Sequence, residues 1–178
     1  MDNDLFKIRK AVVTDAIGIA TVHIDSWKTT YSNIVPDEYL SNLSYDSREK
    51  MWTNAIPFGD IYVVENGIGE IVGFSKGGKE RSCKYKGYDG EIYAIYILQK
   101  YQGKGIGTAL VKPIIKDIID VGINSMLVLV LEDTNSRKFY ESLGGRKIDT
   151  VEVEIGGKKL PELVYGWDEI RTIFQLIN

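Results

Sequence analysis

The chain has 178 residues, 44% hydrophobic and 26% charged, with a formal net charge of -3 from 22 basic and 25 acidic side chains. That length buries a core as one domain, 1–178, without disulfides or metals, and the slightly acidic balance argues against nucleic acid as a partner, because sequence-independent binding needs a basic excess. Cys83 and His23 are the only residues of their kinds, which excludes an internal disulfide and a structural zinc site, and leaves a Ser-His-Asp triad possible only through His23.

The amino terminus, MDNDLFKIRK, is acidic and lacks a signal-peptide core. No apolar stretch approaches the roughly 20 residues that span a bilayer. The expectation is a cytoplasmic domain with no membrane partner. Leu5–Arg9 alternates like a short strand, and Ile17, Ala20, Ile24 and Trp27 then recur at helical spacing over Thr14–Thr29. Pro36-Asp37-Glu38 opens a short helix, and Ser44 or Asp46 caps another that runs to about Asn54. Ile61–Glu65 and Glu70–Ser75 flank Asn66-Gly67, a hairpin signal. Lys76–Lys86 is polar, locally basic and reads as a loop or hairpin end, most simply a solvated one. Glu91–Leu98 is apolar and β-branched, and a glycine-rich turn leads from it into a helix over Gly105–Val121, with a kink expected at Pro113. Met126–Leu131 is a continuous apolar run, as in a strand buried on both faces. A short helix over Asn135–Leu143 follows, closed by Gly144, and a final hairpin, Arg146–Ile155 and Lys158–Tyr165, turns at Gly156-Gly157. The order describes one α/β domain with a mostly antiparallel sheet and at least one βαβ crossover.

The turn itself, Tyr101-Gln102-Gly103-Lys104-Gly105-Ile106-Gly107-Thr108, has two readings. A strand that stops at glycines and enters a helix presents unpaired N–H groups at the positive end of the helix dipole, a ready anion site. Alternatively, the chain simply needs positive φ angles there. A P-loop is excluded because Lys104 precedes Gly105 rather than Ser or Thr, and the G-x-G-x-x-G dinucleotide spacing is absent.

Gln102, Gly105 and Gly107 form Gln-x-x-Gly-x-Gly, which resembles motif A of the GCN5-related N-acetyltransferases. Asn135 through Phe139-Tyr140 to Gly144 resembles the second signature of that superfamily, N-x-x-x-x-F-Y-x-x-x-G, at the family's separation and element order. Ser26-Trp27 with Tyr31, and Tyr165-Gly166-Trp167, are also similar to a bacterial subgroup. The resemblance implies a mixed, mostly antiparallel sheet of six to seven strands, helices on both faces and a splayed central strand. It further implies acetyl-CoA as cofactor: Gln102, Gly103, Lys104, Gly105, Ile106, Gly107 and Thr108 cradling the pyrophosphate, with backbone of Tyr96 and Ile97, and Asn135, along the pantetheine arm. Asn135 is equally read as a helix N-cap.

The implied reaction is acetyl transfer to a primary amine of a small molecule or peptide by direct attack. An alkyl amine with pKa near 10 is only about 0.1% neutral at pH 7, a cost of roughly 4 kcal/mol, so a base helps. By resemblance Tyr140 is the general acid for the sulfur and Glu91 the candidate base, with Asp25 and Glu38 as alternatives. Trp27 and Tyr31 are placed at the acceptor site, against the plain alternative that helix-face aromatics are core. His23 reads as packed rather than catalytic. Two further functions stay open, a non-catalytic acyl-CoA-binding domain and a protein N-terminal or lysine acetyltransferase. Dimers are frequent in the family, and the apolar tail Ile170–Ile177 either forms such a homodimer contact or covers its own sheet. Gly145 stands where the family usually carries an aromatic, which puts local packing in question.

Overall fold

The computed structural model describes residues 5–177; Met1 to Asp4 of the acidic leader and Asn178 lie outside the described residues. The strands are β1 (Lys7–Lys10), β2 (Ile61–Glu65), β3 (Ile71–Lys79), β4 (Gly90–Ile97), β5 (Met126–Leu131), β6 (Arg146–Ile155) and β7 (Lys158–Trp167). The helices are α1 (Ala16–Thr30), α2 (Asp37–Ser41), α3 (Tyr45–Ala55), α4 (Ile106–Asp120), α5 (Ser136–Ser142) and α6 (Thr172–Leu176). One seven-stranded sheet runs β1-β2-β3-β4-β5-β7-β6. Only β4 and β5 pair in parallel, and α4 is the crossover between them. The mixed, mostly antiparallel sheet expected from the motifs is the one observed.

Helices cover both faces because each carries an apolar stripe. Val111, Ile114, Ile115 and Ile118 of α4 close over Ile92, Met126 and Val128. On the opposite face Ile19 and Ala20 of α1 and Trp52 of α3 close over Ile61, Val63 and Phe74. Each such fully buried aliphatic contributes about 1.5–3 kcal/mol of transfer free energy. α4 continues through Pro113 to Asp120. The carboxy-terminal tail covers its own sheet: Ile170 and Ile173 belong to the same core as Ile118 and Met126, and the Ile170 N–H donates to Asn124 O at 2.8 Å. Those two side chains are therefore not available as a homodimer face.

The sequence and the structure differ most at the end of β3. Lys76–Lys79, read as loop or hairpin end, are the last residues of a hairpin strand. Gly77 and Gly78 look like loop residues, but they are contact surfaces: a Cβ would come to 2.4 Å from Ile114 Cγ2 at the first and 2.9 Å from the Tyr93 hydroxyl at the second. The β3–β4 register steps from Gly77–Ile92 to Lys76–Ala94, so Tyr93 is left over in a bulge. After it, Ala94 and Tyr96 face α1 while Ile95 and Ile97 face α4. The β4–β5 ladder itself ends at Ile92–Val128. Beyond that point the two strands part, which is the splayed central strand.

Candidate functional site

A cleft of about 960 Å³ occupies the gap between β4 and β5, within the size range of small-molecule sites. Tyr140, Glu91, Tyr96, Ile97, Gln102, Gly103, Gly105, Ile106, Gly107, Thr108, Asn135, Trp27 and Tyr31 all line it. Lys104 does not. Its ammonium lies near the Phe6 and Tyr101 rings, 5.9 and 5.6 Å from their centroids.

At one end stands the start of α4. Gly103 and Gly105 adopt φ of 75° and 78°, and Gly105 is the residue from which the helix begins. Among the described residues nothing lies within 4 Å of a Cβ at either, so their glycines answer to backbone conformation or to a group held at the turn. Gly107 is different: a Cβ there would meet the Phe139 ring at 3.1 Å. The first helical bond runs from Ala109 N–H to Gly105 O at 3.1 Å. The N–H groups of Ile106, Gly107 and Thr108 thus have no acceptor within the helix and point at the positive end of its dipole. This donor set suits a phosphate. Gln102 is committed elsewhere, its Nε2 donating to Ile97 O at 3.0 Å.

α5 forms the next wall. Tyr140 is buried, and its hydroxyl has no hydrogen-bond partner among the described residues. Burial, reinforced by Tyr96, pushes the phenol well above its ordinary pKa, so it keeps its proton. Asn135 precedes α5, but its side chain makes no cap hydrogen bond. Asn135 thus holds the N-cap position without a side-chain cap bond, and the exposed residue lines the cleft. The packing question at Gly145 resolves through Trp167 of β7. That indole passes so close that a Cβ on Gly145 would be 2.7 Å from Cζ2, and its Nε1 donates to Leu143 O at 2.9 Å. An aromatic from the far strand fills the place that a neighbour in sequence usually fills.

The other end is aromatic and acidic. Trp27 and Tyr31 meet edge to face at 4.7 Å. Burial, with Tyr96 beside it, pushes the Tyr31 phenol far up. Glu91 lines the cleft, but both its oxygens are engaged: Oε1 accepts from Arg81 Nη2 at 2.5 Å, and Oε2 from the Arg81 backbone N–H and Nε at 3.0 and 3.1 Å. Arg81, read as part of a solvated loop, instead folds back over the Tyr93 ring and into the cleft wall. The cleft lining also takes in Glu162, which the sequence had not singled out, and Arg81, which it had placed only within a basic loop. Glu162 carried a signal, since it is a lone acid between Leu160 and Leu163 in an apolar strand. Arg81 carried none, because its partner is set only by the β3–β4 register.

His23 lies under this end. Trp52 Nε1 donates to its Nδ1 at 3.1 Å and its ring stacks on Tyr96 at 5.2 Å. Burial, with the positive field of Arg48, lowers its pKa to about 4, against 6.5 for an ordinary histidine. Between those values the unfolded chain binds a proton that the folded one does not. Stability is therefore intact above pH 6.5 and falls as pH drops through that interval, by at most about 1.4 kcal/mol per unit. The melting temperature at pH 5 is expected below that at pH 7, with a smaller difference in His23→Gln. Equal differences in the two proteins would remove His23 as the cause.

Residues 72–153 match the family model described as FR47-like protein. The chain is 36% identical over 171 residues, 96% of its own length and 98% of the relative's, to the uncharacterized N-acetyltransferase YuaI of Bacillus subtilis strain 168. Its fold is similar to that of the PaiA N-acetyltransferase of Thermoplasma acidophilum, solved in complex with coenzyme A. The TM-score is 0.69 at 20% identity, covering 91% of this chain and 98% of that one. An N-acetyltransferase from Staphylococcus aureus Mu50 is similar with a TM-score of 0.71 at 20% identity, over 92% of this chain and 98% of that one.

Proposed function

Since the chain belongs to the GCN5-related N-acetyltransferase superfamily, we propose that its cleft binds acetyl-CoA and transfers the acetyl group to a primary amine of a small molecule or peptide by direct attack. The observation that carries this reading is the single cleft that joins the open N-terminus of α4 to the Tyr140 hydroxyl across the gap between β4 and β5. Acetyl-CoA supplies the acyl group as a thioester already activated for attack by an amine. The N–H groups of Ile106, Gly107 and Thr108 hold its pyrophosphate, and the left-handed glycines Gly103 and Gly105 let it approach the backbone. The β4 edge beyond Ile92, without a β5 partner, offers backbone groups around Tyr96 and Ile97 to the pantetheine arm, and Asn135 faces that arm from α5.

Tyr140 protonates the departing sulfur. A phenol held protonated by burial is a donor at neutral pH. Direct attack fits the side chains present: Cys83 is exposed and outside the cleft, so no thiol stands ready to carry the acyl group.

The test is release of free thiol from acetyl-CoA across polyamines, amino acids, aminoglycosides and short peptides, with the melting temperature followed in parallel. Release that depends on one amine class is the expected result. A chain that neither releases thiol nor is stabilised by coenzyme A would overturn the reading.

A further inference from the structure

An amine acceptor reaches a site at neutral pH as an ammonium ion, and must lose a proton before it can attack. Two carboxylates line the cleft, Glu91 and Glu162. They differ in what they already hold. Glu91 is closed in an ion pair with Arg81 that uses both of its oxygens. Glu162 is half-buried and has no hydrogen bond or ion pair among the described residues.

Its position follows from strand register. Glu162 sits on β7 opposite Leu131 of β5 and Val151 of β6. Alternation along the strand puts it on the face of Leu160, which packs with Val35 and Leu40 beneath α1 and α2. Its charge bears on the hydroxyls of Tyr31 and Tyr96, and Tyr140 bears on Tyr31 as well. The Trp27 indole N–H is buried in the same wall without a hydrogen-bond partner. A carboxylate with a free face, walled by aromatic rings, is a site for a cation, since ring faces and anion attract it together. Burial, then the neighbouring Glu91, raises the Glu162 carboxyl, while Arg81 opposes them.

We propose that Glu162 receives the acceptor's ammonium group beside the Trp27–Tyr31 pair and takes its proton, which makes the acceptor a protonated alkyl primary amine. The assignment rests on the acetyltransferase reading above. One ammonium proton passes to the Glu162 carboxylate, freeing the nitrogen lone pair. The nitrogen then bonds to the thioester carbonyl carbon and the carbon–sulfur bond breaks with its electron pair on sulfur. Tyr140 gives that sulfur a proton and recovers one from the second N–H, while the proton on Glu162 leaves to solvent. Amide, free thiol and one proton result, with no redox partner required.

The test titrates the coenzyme A-loaded protein with n-butylammonium chloride, followed by tryptophan fluorescence, in wild type and Glu162→Gln. Saturable binding is expected in wild type, weakened about 10-fold or more in Glu162→Gln, partly restored in Glu162→Asp, and absent with n-butanol. The rise in melting temperature given by coenzyme A should be the same in wild type and Glu162→Gln, which also shows that the variant folds. Wild-type protein without saturable alkylammonium binding, or equal affinity in Glu162→Gln, removes Glu162 from this role while the coenzyme A response still upholds the acetyltransferase reading. A wild-type protein that coenzyme A does not stabilise sinks both.

Discussion

Tyr140→Phe should lower kcat by about 10²- to 10³-fold while affinity for coenzyme A changes less than about twofold. The substitution removes one oxygen and leaves the ring where it is. That ring packs on Phe139 at 5.3 Å and on Trp167 at 6.3 Å, and its hydroxyl makes no hydrogen bond that the fold would lose. Stability should therefore hold, and the loss should fall on the step in which charge develops at sulfur. Because burial holds this phenol protonated far above neutrality, the pH–rate profile should show no falling limb from Tyr140 below about pH 10. A variant that turns over as wild type does would assign the proton to water and leave Tyr140 a packing residue.

The second large effect separates the two readings of the glycine turn. Gly105 starts α4 at φ 78° and ψ 1°, with open space where a Cβ would stand. Gly105→Val puts a β-branched residue in a left-handed conformation that costs roughly 1–2 kcal/mol or more, so both melting temperature and coenzyme A affinity should fall. Gly105→Asn tolerates that conformation and should melt close to wild type. If the open space is where a pyrophosphate lies against bare backbone, the Asn side chain intrudes on it. Coenzyme A affinity then drops by about 10-fold or more. Wild-type affinity in Gly105→Asn would mean that this glycine serves the turn alone.

Much of this site was legible because its signals are local. A glycine-rich turn between a β-branched strand and an aliphatic helix needs only neighbouring residues to be recognised, and so does Phe139-Tyr140 on a short helix before Gly144. The order of strands and helices followed from periodicity in the same way, and the boundaries of β5 came out residue for residue. Where local chemistry misled, a distant contact had overridden it. Gly77 and Gly78 read as loop, but they are strand because Ile114 and Tyr93 press against their missing side chains.

The sequence by itself determined most of the elements, the crossover, the family signatures and many of the residues that gather at one cleft, though not Glu162. Tertiary structure alone decided which of them are free to react. Glu91 and Glu162 are both single acids on apolar strands. The bulge at Tyr93 and the return of Arg81 close the first in an ion pair, while the β5–β7–β6 register leaves the second on the cleft wall with no side-chain partner among the described residues. Periodicity reports which side of a strand a residue takes. It carries nothing about the partner across the gap, because that partner is set by register and by chain returns many residues away.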